Sequence, residues 1–211
     1  MRRHLWRSAA PLGWVLAQRA GRGMETMQLH AAAASGDVAL VRTLVRQGLD
    51  MNEAAADGER PLHWAAGAGQ AATVEALVEL GADVNGQGPL GMRALHVAAG
   101  EGHVDVVRAL VLLGAHLNVS ATDGRGPLHF AAARAQLETV EALVELGADV
   151  DAAAAGGDRP LHWAARAGDP ATLKALVRLG ANANSKTVNG DERPLHWAAG
   201  AGRAELVQVR K

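Results

Sequence analysis

Histidine recurs at one position of a repeated phrase, and such a row of imidazoles could carry chemistry. The phrase Leu-His-x-Ala-Ala occurs six times in 211 residues, with four intervals of 33 residues and a last one of 34. Its histidines are His30, His63, His96, His129, His162 and His196. Because imidazole is a common metal ligand and general base, the row indicates either a repeated site or a repeated structural unit.

Geometry argues against a metal or catalytic site. Stacked helices lie roughly 8–10 Å apart, whereas each ligand nitrogen must lie roughly 2 Å from zinc. One histidine per repeat does not converge on an ion, and no acid or second histidine follows at i+3 or i+4. The chain also has no cysteine, which excludes thiolate ligands and a cysteine nucleophile. We therefore predict no enzymatic activity, metal or cofactor, and interpret five histidines as structural residues that bond neighbouring backbone: His63, His96, His129, His162 and His196.

The residues around the phrase predict pairs of short helices. Near copies of one stretch occur at 60–70, 159–169 and 193–203. In the first copy, Pro61 suits the first turn of a helix, and one face would carry Leu62, Ala65, Ala66 and Gly69. The following stretch, 71–81, predicts a second helix with an apolar face formed by Val74, Leu77 and Val78, ended by Gly81. Each pair is too small to bury its own apolar face, so neighbouring pairs must stack.

Phrase, period and turn together resemble the ankyrin repeat family over about residues 27–211. Four repeats carry a Gly-Ala pair after the second helix, at Gly81, Gly114, Gly147 and Gly180. The resemblance implies an all-α solenoid in which each repeat contributes a β-turn finger and two antiparallel helices. It also implies that the chain binds proteins.

We predict a basic extension over 1–24 and an ankyrin repeat domain over 25–211. The approximate repeats are 25–55, 56–88, 89–121, 122–154, 155–188 and an incomplete 189–211. The incomplete repeat predicts a frayed end or a truncated product of a longer chain. The finger at 185–192 has one extra residue, and insertions in repeats often lie on the binding side.

The variable residue of the phrase is aromatic in four repeats: Trp64, Phe130, Trp163 and Trp197. On a helical wheel Trp64 lies nearly opposite Leu62, and the resemblance places that side in a concave groove. The rings either pack against the adjacent repeat or also form an aromatic floor for a partner; we favour the second. Further partner-binding candidates on the fingers and the groove are Glu59, Met92, Arg125, Asp158 and Arg166, with Asp57, Asp191 and Glu192 beside them.

The sequence departs from the family where threonine usually precedes Pro-Leu-His. Four of these positions hold arginine: Arg60, Arg93, Arg159 and Arg193. Each replaces a hydroxyl cap worth about 1 kcal/mol. We expect nearby acids to pair with them on a solvated edge, namely Asp57, Glu59, Asp158, Asp191 and Glu192; the alternative is an arginine row for an acidic partner.

The distribution of charge along the chain argues against a nucleic-acid partner. Residues 1–24 hold five of the 21 basic side chains and none of the 22 acidic ones, so the rest of the chain is acidic. Because an acidic surface repels phosphate, we expect no nucleic-acid partner. No run of about 18 apolar residues occurs in the sequence, so we expect no membrane span. The expected partner is an unidentified protein, with no small-molecule substrate. Residues 1–24 are interpreted as a disordered tail, an upstream extension, or a mitochondrial or secretory signal. The expected location is cytoplasmic or nuclear, with mitochondrial as the alternative.

We predict a non-enzymatic protein-interaction module that uses the concave helix face and the fingers. The alternative is a truncated adaptor or regulatory part of a larger protein, such as a ubiquitin-ligase substrate adaptor or a signalling regulator.

Overall fold

A computed structural model describes residues 21–188 and 190–202. Most of the basic extension over 1–24, and the incomplete sixth repeat beyond residue 202, lie outside the described residues. The first helices of the repeats are α1 Gly21–Ser35, α3 Pro61–Gly67, α5 Ala94–Glu101, α7 Pro127–Ala133, α9 Pro160–Ala167 and α11 Pro194–Gly200. The second helices are α2 Val38–Arg46, α4 Ala71–Glu79, α6 Val104–Leu112, α8 Leu137–Glu145 and α10 Pro170–Arg178. No strand occurs in this part of the chain.

The helices pack in two parallel rows. Each first helix contacts the first helix of the next repeat, and the second helices contact one another in the same order. Within each of the first five repeats the two helices also pack together. The predicted all-α solenoid is therefore confirmed, with the helix α1 beginning at Gly21, ahead of residue 25.

Alanine and leucine at fixed positions form one continuous core. Leu62, Ala65 and Ala66 are buried as predicted, and so are Val74 and Leu77 on the second helix. Small alanines let the first helices approach closely, whereas the Val and Leu side chains fill the space between the two rows. The core therefore runs through all the repeats rather than lying inside any one of them.

Each helix begins and ends with a short-range signal. Pro61 is the first helical residue of α3, and the histidine two positions later accepts a hydrogen bond from the Arg60 backbone N–H at 3.3 Å. This bond is one half of a capping box, in which the imidazole accepts the N–H of the residue before the helix. The His63 N–H, which a hydroxyl cap would accept, is bonded to Arg60 O at 2.9 Å. Gly81 follows α4 with φ +103°, a conformation that glycine adopts without strain.

Five fingers connect the repeats, and each is closed at its base by a backbone hydrogen bond. The donor and acceptor residues are Ala55 and Glu59, Gly88 and Met92, Ala121 and Arg125, Ala154 and Asp158, and Thr187 and Glu192. Neighbouring fingers are also bonded at their tips, where Thr122, Ala155 and Val188 donate to Leu90, Asp123 and Gly156 at 2.9, 3.1 and 2.9 Å. The finger at 88–92 contains a short 3-10 helix, Pro89–Gly91, in which Leu90 has φ 56°.

Substitution of Gly124 by alanine tests how closely neighbouring fingers pack. Its φ is +81°, and a Cβ there would lie 2.4 Å from the Ala155 backbone nitrogen, whereas a Cβ at Gly114, with φ +94°, meets nothing within 4 Å. Both alanine variants carry left-handed strain, but only Gly124→Ala adds a clash with backbone. We expect Gly124→Ala to lower the free energy of unfolding by about 1–3 kcal/mol more than Gly114→Ala. Urea unfolding followed by circular dichroism measures both, and equal losses would contradict the close contact.

Within the described ranges, no helix has the length and apolar character needed to cross a membrane.

Candidate functional site

The histidine row connects each repeat to the finger of the next. Nε2 lies opposite a finger carbonyl in four repeats: His30 and Glu59 at 2.9 Å, His63 and Met92 at 3.1 Å, His129 and Asp158 at 3.2 Å, and His162 and Glu192 at 3.1 Å. His96 Nε2 is buried beside the Arg125 carbonyl but does not reach hydrogen-bond geometry. In the sixth repeat His196 is exposed, and among the described residues its ring accepts only the Arg193 N–H, at 3.2 Å.

These contacts require a neutral imidazole in most repeats. Nδ1 of His63, His96, His129 and His162 accepts the backbone N–H three residues earlier, so the proton is on Nε2. Burial lowers the pKa of all four, and that of His96 falls to about 4. In His63, His129 and His162 both ring nitrogens therefore contact backbone. In all four the Nδ1 lone pair accepts a backbone N–H.

The aromatic rings of the phrase are half-buried and pack edge-on rather than flat. Trp64 contacts His30, Phe130 contacts His96 and Trp197 contacts His162, each at 5.5 Å between ring centroids. Trp163 contacts Trp197, also at 5.5 Å. Each ring thus covers part of the adjacent repeat and leaves its remaining surface on the side of the fingers. We call this surface the inner face: the exposed sides of the first helices and the adjoining fingers.

A carboxylate lies at the base of the finger beside each of the three tryptophans of the phrase. Trp163 Nε1 donates to Asp158 at 2.5 Å, and Trp197 Nε1 donates to Glu192 at 2.7 Å. In the repeat of Trp64 the acid at the same position is Glu59, but Trp64 Nε1 is buried and makes no regular hydrogen bond. The sequence carries this signal, because an acid stands five residues before every tryptophan of the phrase, whereas Met92 and Arg125 precede Val97 and Phe130.

Two arginines lie over the aromatic rings in the middle of the inner face. The Arg125 guanidinium is 4.6 Å from the centroid of Phe130 and 4.8 Å from that of Trp163. Arg166, which is exposed, lies 5.6 Å from the centroid of Trp163. Arg125 also forms an ion pair with Asp123 at 2.6 Å. The structure therefore brings together Phe130, Trp163, Trp197, Arg125, Asp158 and Arg166, and places Glu59 and Trp64 separately in the second repeat.

Glu59 is the most perturbed carboxyl of the inner face. Burial, and then the neighbouring Asp57 carboxylate, raise its pKa from 4.5 to about 7, and the Trp64 indole offsets part of the increase. The charge on Glu59 therefore costs free energy at neutral pH in the free protein.

Replacing Glu59 by glutamine removes this cost. Because the folded pKa exceeds the unfolded value, the free energy of unfolding falls as pH rises between 4.5 and about 7. We expect Glu59→Gln to stabilise the chain by about 1 kcal/mol at about pH 8, after allowance for solvent screening, and to have little effect near pH 5. Thermal melts at the two pH values measure this. Glu138→Gln, on the exposed side of α8, controls for net charge, and a Glu59→Gln effect independent of pH would contradict the assignment.

Among the described residues, the arginines before the phrase pair with none of the acids we expected. Arg60 approaches Asp83 at 3.8 Å, and Arg159 approaches Asp151 at 3.7 Å. The prediction was wrong. The Asp158 and Glu192 carboxylates accept indole N–H groups, Asp191 pairs with Lys186, and Asp57 and Glu59 form no ion pair with a described residue. The arginine side chains turn toward the loop that follows the second helix because that loop offers carbonyl acceptors, such as Asn85 O for Arg93 at 3.0 Å.

The remaining predicted site residues have different surroundings. Met92 is half-buried and supplies the carbonyl that His63 contacts. Beside the finger at 187–192 Lys186 forms an ion pair with Asp191 at 2.7 Å, and Asn189 in this longer finger lies outside the described residues.

Sequence reasoning missed a second set of connections between repeats. Gln70 donates to Ala34 O at 3.3 Å, Gln136 donates to Gly100 O at 3.4 Å, and His103 Nε2 lies 3.1 Å from Gly67 O. All three residues precede a second helix at the same register, and each reaches the end of the preceding repeat's first helix. Their common 33-residue spacing is the signal that could have identified them.

Across residues 21–188 and 190–202, no three or more His, Asp or Glu side chains lie together as potential metal ligands. A search of curated proteins gave no match to the chain. A family model described as ankyrin repeats (3 copies) matches residues 29–121, 87–154, 111–187 and 128–209. Members of this family are generally protein-interaction modules without enzymatic activity. The matches span the stacked helices, the fingers and the histidine row, and the chain belongs to the ankyrin repeat family.

Proposed function

We propose that this chain is a non-enzymatic interaction module whose inner face binds a partner protein. The observation that carries the proposal is the row of half-buried aromatic rings at one position of four first helices, α3, α7, α9 and α11, directly beside the fingers. Tryptophan is strongly favoured at binding hot spots because a rigid ring supplies a large contact area. A row in one register offers such contacts to several parts of one partner.

The use of both imidazole nitrogens supports the non-enzymatic part of the proposal. A general base must keep a free lone pair within reach of a substrate proton. In His63, His129 and His162 both nitrogens instead contact backbone. We further propose that the module takes no small-molecule substrate or nucleic acid, and that it acts in the cytoplasm or nucleus, with mitochondria as the alternative.

A capture experiment with matched variants tests the proposal. The bait is the full chain, in cell extract from the source organism, with bound proteins identified by mass spectrometry. The inner-face variant is Trp64→Ala with Trp197→Ala. The control is Leu40→Ala with Leu112→Ala, which removes two apolar side chains from exposed positions of the second helices α2 and α6 and leaves the net charge unchanged.

We expect the parent and the control to capture the same proteins and the inner-face variant to lose them. Circular dichroism and thermal melts must show that both variants remain folded. If only the control loses the captured proteins, binding uses the second helices and the proposal is wrong.

We also propose, as the alternative, an adaptor or regulatory part of a larger protein, such as a ubiquitin-ligase substrate adaptor or a signalling regulator. This role uses the same inner face and differs in what the module is attached to. The identity of the captured proteins distinguishes the two.

A further inference from the structure

We propose that the partner segment on the inner face is basic, with lysine or arginine side chains seated on Trp64 and Trp197. This inference rests on the proposed function and specifies the chemistry of its partner. It follows from three features of the inner face: the occupied ring of Trp163, the unpaired carboxylates beside the other two rings, and the spacing between those rings.

The ring of Trp163 shows that a tryptophan at this position of the repeat can bind cationic side chains. Two guanidinium groups of the chain itself lie near its ring, those of Arg125 at 4.8 Å and Arg166 at 5.6 Å from the centroid. These are cation–π distances. In the part of the chain that the structure describes, neither Trp64 nor Trp197 has a cation over its ring. The rings of Trp64 and Trp197, which we call the two outer rings, thus leave open the surface that the two guanidinium groups cover on Trp163.

Negative charge accompanies the two outer rings. Asp57 and Glu59 lie in the finger beside Trp64, and Glu192 accepts the indole N–H of Trp197. None of the three carboxylates lies within 4.0 Å of a basic nitrogen of the described residues. By contrast, Asp123 on the finger at 121–125 is paired with Arg125 at 2.6 Å, and Asp191, next to Glu192 on the same finger, is paired with Lys186 at 2.7 Å.

A long basic side chain matches this combination of ring and carboxylate. Its aliphatic stem packs on the indole while its charged head reaches the acid. Such a head would also compensate the burial and the repulsion that raise the pKa of Glu59, because a nearby positive charge stabilises the carboxylate. Binding is therefore expected to release a proton near neutral pH.

The spacing of the repeats sets the length of the segment. Trp64 and Trp197 are four repeats apart, or roughly 30–40 Å for packed helices. An extended chain covers that distance with about ten residues between the two basic side chains. Between the anchors the inner face presents Met92, Phe130 and the paired Arg125, so the middle of the segment is expected to be apolar.

Selection from a library of random peptides about 16 residues long tests the proposal. The full chain is the target, and enriched peptides are synthesised and their affinities measured at about pH 8, where Glu59 is charged. We expect two basic positions about ten residues apart. Glu59→Gln with Glu192→Gln should weaken binding about tenfold, whereas Glu75→Gln with Glu138→Gln, on exposed positions of α4 and α8, should leave it unchanged.

The outcomes separate this inference from the proposed function. Enriched peptides that lose binding with Trp64→Ala and Trp197→Ala, but lack basic residues or bind the Glu59→Gln and Glu192→Gln variant unchanged, overturn the basic partner and keep the inner face. If no enriched peptide depends on the inner face, both proposals are wrong. If Glu75→Gln with Glu138→Gln weakens binding equally, the effect is due to net charge alone, and the proposal of two basic side chains seated on Trp64 and Trp197 is wrong.

Discussion

Acidification from about pH 7 to about pH 4 is expected to remove most of the chain's stability through the histidine row. His63, His96, His129 and His162 are buried and neutral, with pKa values below the ordinary 6.5. In this window the unfolded chain binds more protons than the folded chain, so the free energy of unfolding falls as pH falls. The contribution of His96 alone, with a pKa of about 4, is about 3 kcal/mol. Glu59 acts in the opposite direction but is a single group.

Urea unfolding at a series of pH values measures this dependence. Replacing His96 by glutamine removes one titrating group and should flatten the profile, whatever the variant's absolute stability. His116→Gln serves as the control because His116 is exposed and its side chain does not belong to the row. A chain equally stable at pH 7 and near pH 4 would show that the imidazoles are not held neutral by burial.

Truncation of Leu128 is expected to cost about 3 kcal/mol, and truncation of Leu195 less than about 1 kcal/mol. The two leucines occupy the same position of the phrase, but Leu128 is 3% exposed and Leu195 is 37% exposed. Leu128 lies in α7, which packs against first helices on both sides. Its loss leaves a cavity that both neighbours share, whereas Leu195 already contacts solvent.

Alanine variants at both positions, unfolded in urea and followed by circular dichroism, provide the comparison. In a solenoid the stability of each repeat depends on its neighbours, so Leu128→Ala should also broaden the transition as the two halves uncouple. Equal losses for both variants would indicate that the core is no better packed at Leu128 than at Leu195. Leu161→Ala, at a residue 2% exposed in α9, should resemble Leu128→Ala.

The architecture could be predicted from the sequence because the same local signals for helix start and helix end recur from repeat to repeat. The 33-residue period, Pro61 at the helix start and Gly81 after the second helix each have a local cause, and each is confirmed. One boundary was wrong. Gly69, expected on the first helix, follows its end at Gly67 and has φ +75°, because a left-handed glycine turns the chain toward the second helix.

The partners of side chains were harder to predict than the helices. Whether Asp158 meets Arg159 or Trp163 depends on rotamers and on the distance between finger and helix, and neither follows from periodicity. The histidine contacts to carbonyls about 29 residues later likewise require knowledge of how two repeats stack. The predicted set of partner-binding residues remains a prediction, since its members are half-buried or exposed whether or not a partner uses them.

Pro89 gives the row of fingers a mechanical weak point. The tips of the four fingers at 88–92, 121–125, 154–158 and 187–192 are joined by backbone bonds, but Pro89 has no N–H to donate to the finger at 55–59. The base of that joint is still held by His63. When the chain bends, we expect most of the movement to occur at this joint. The second repeat would then rotate about a hinge relative to the later repeats, whose joined fingers make them stiffer.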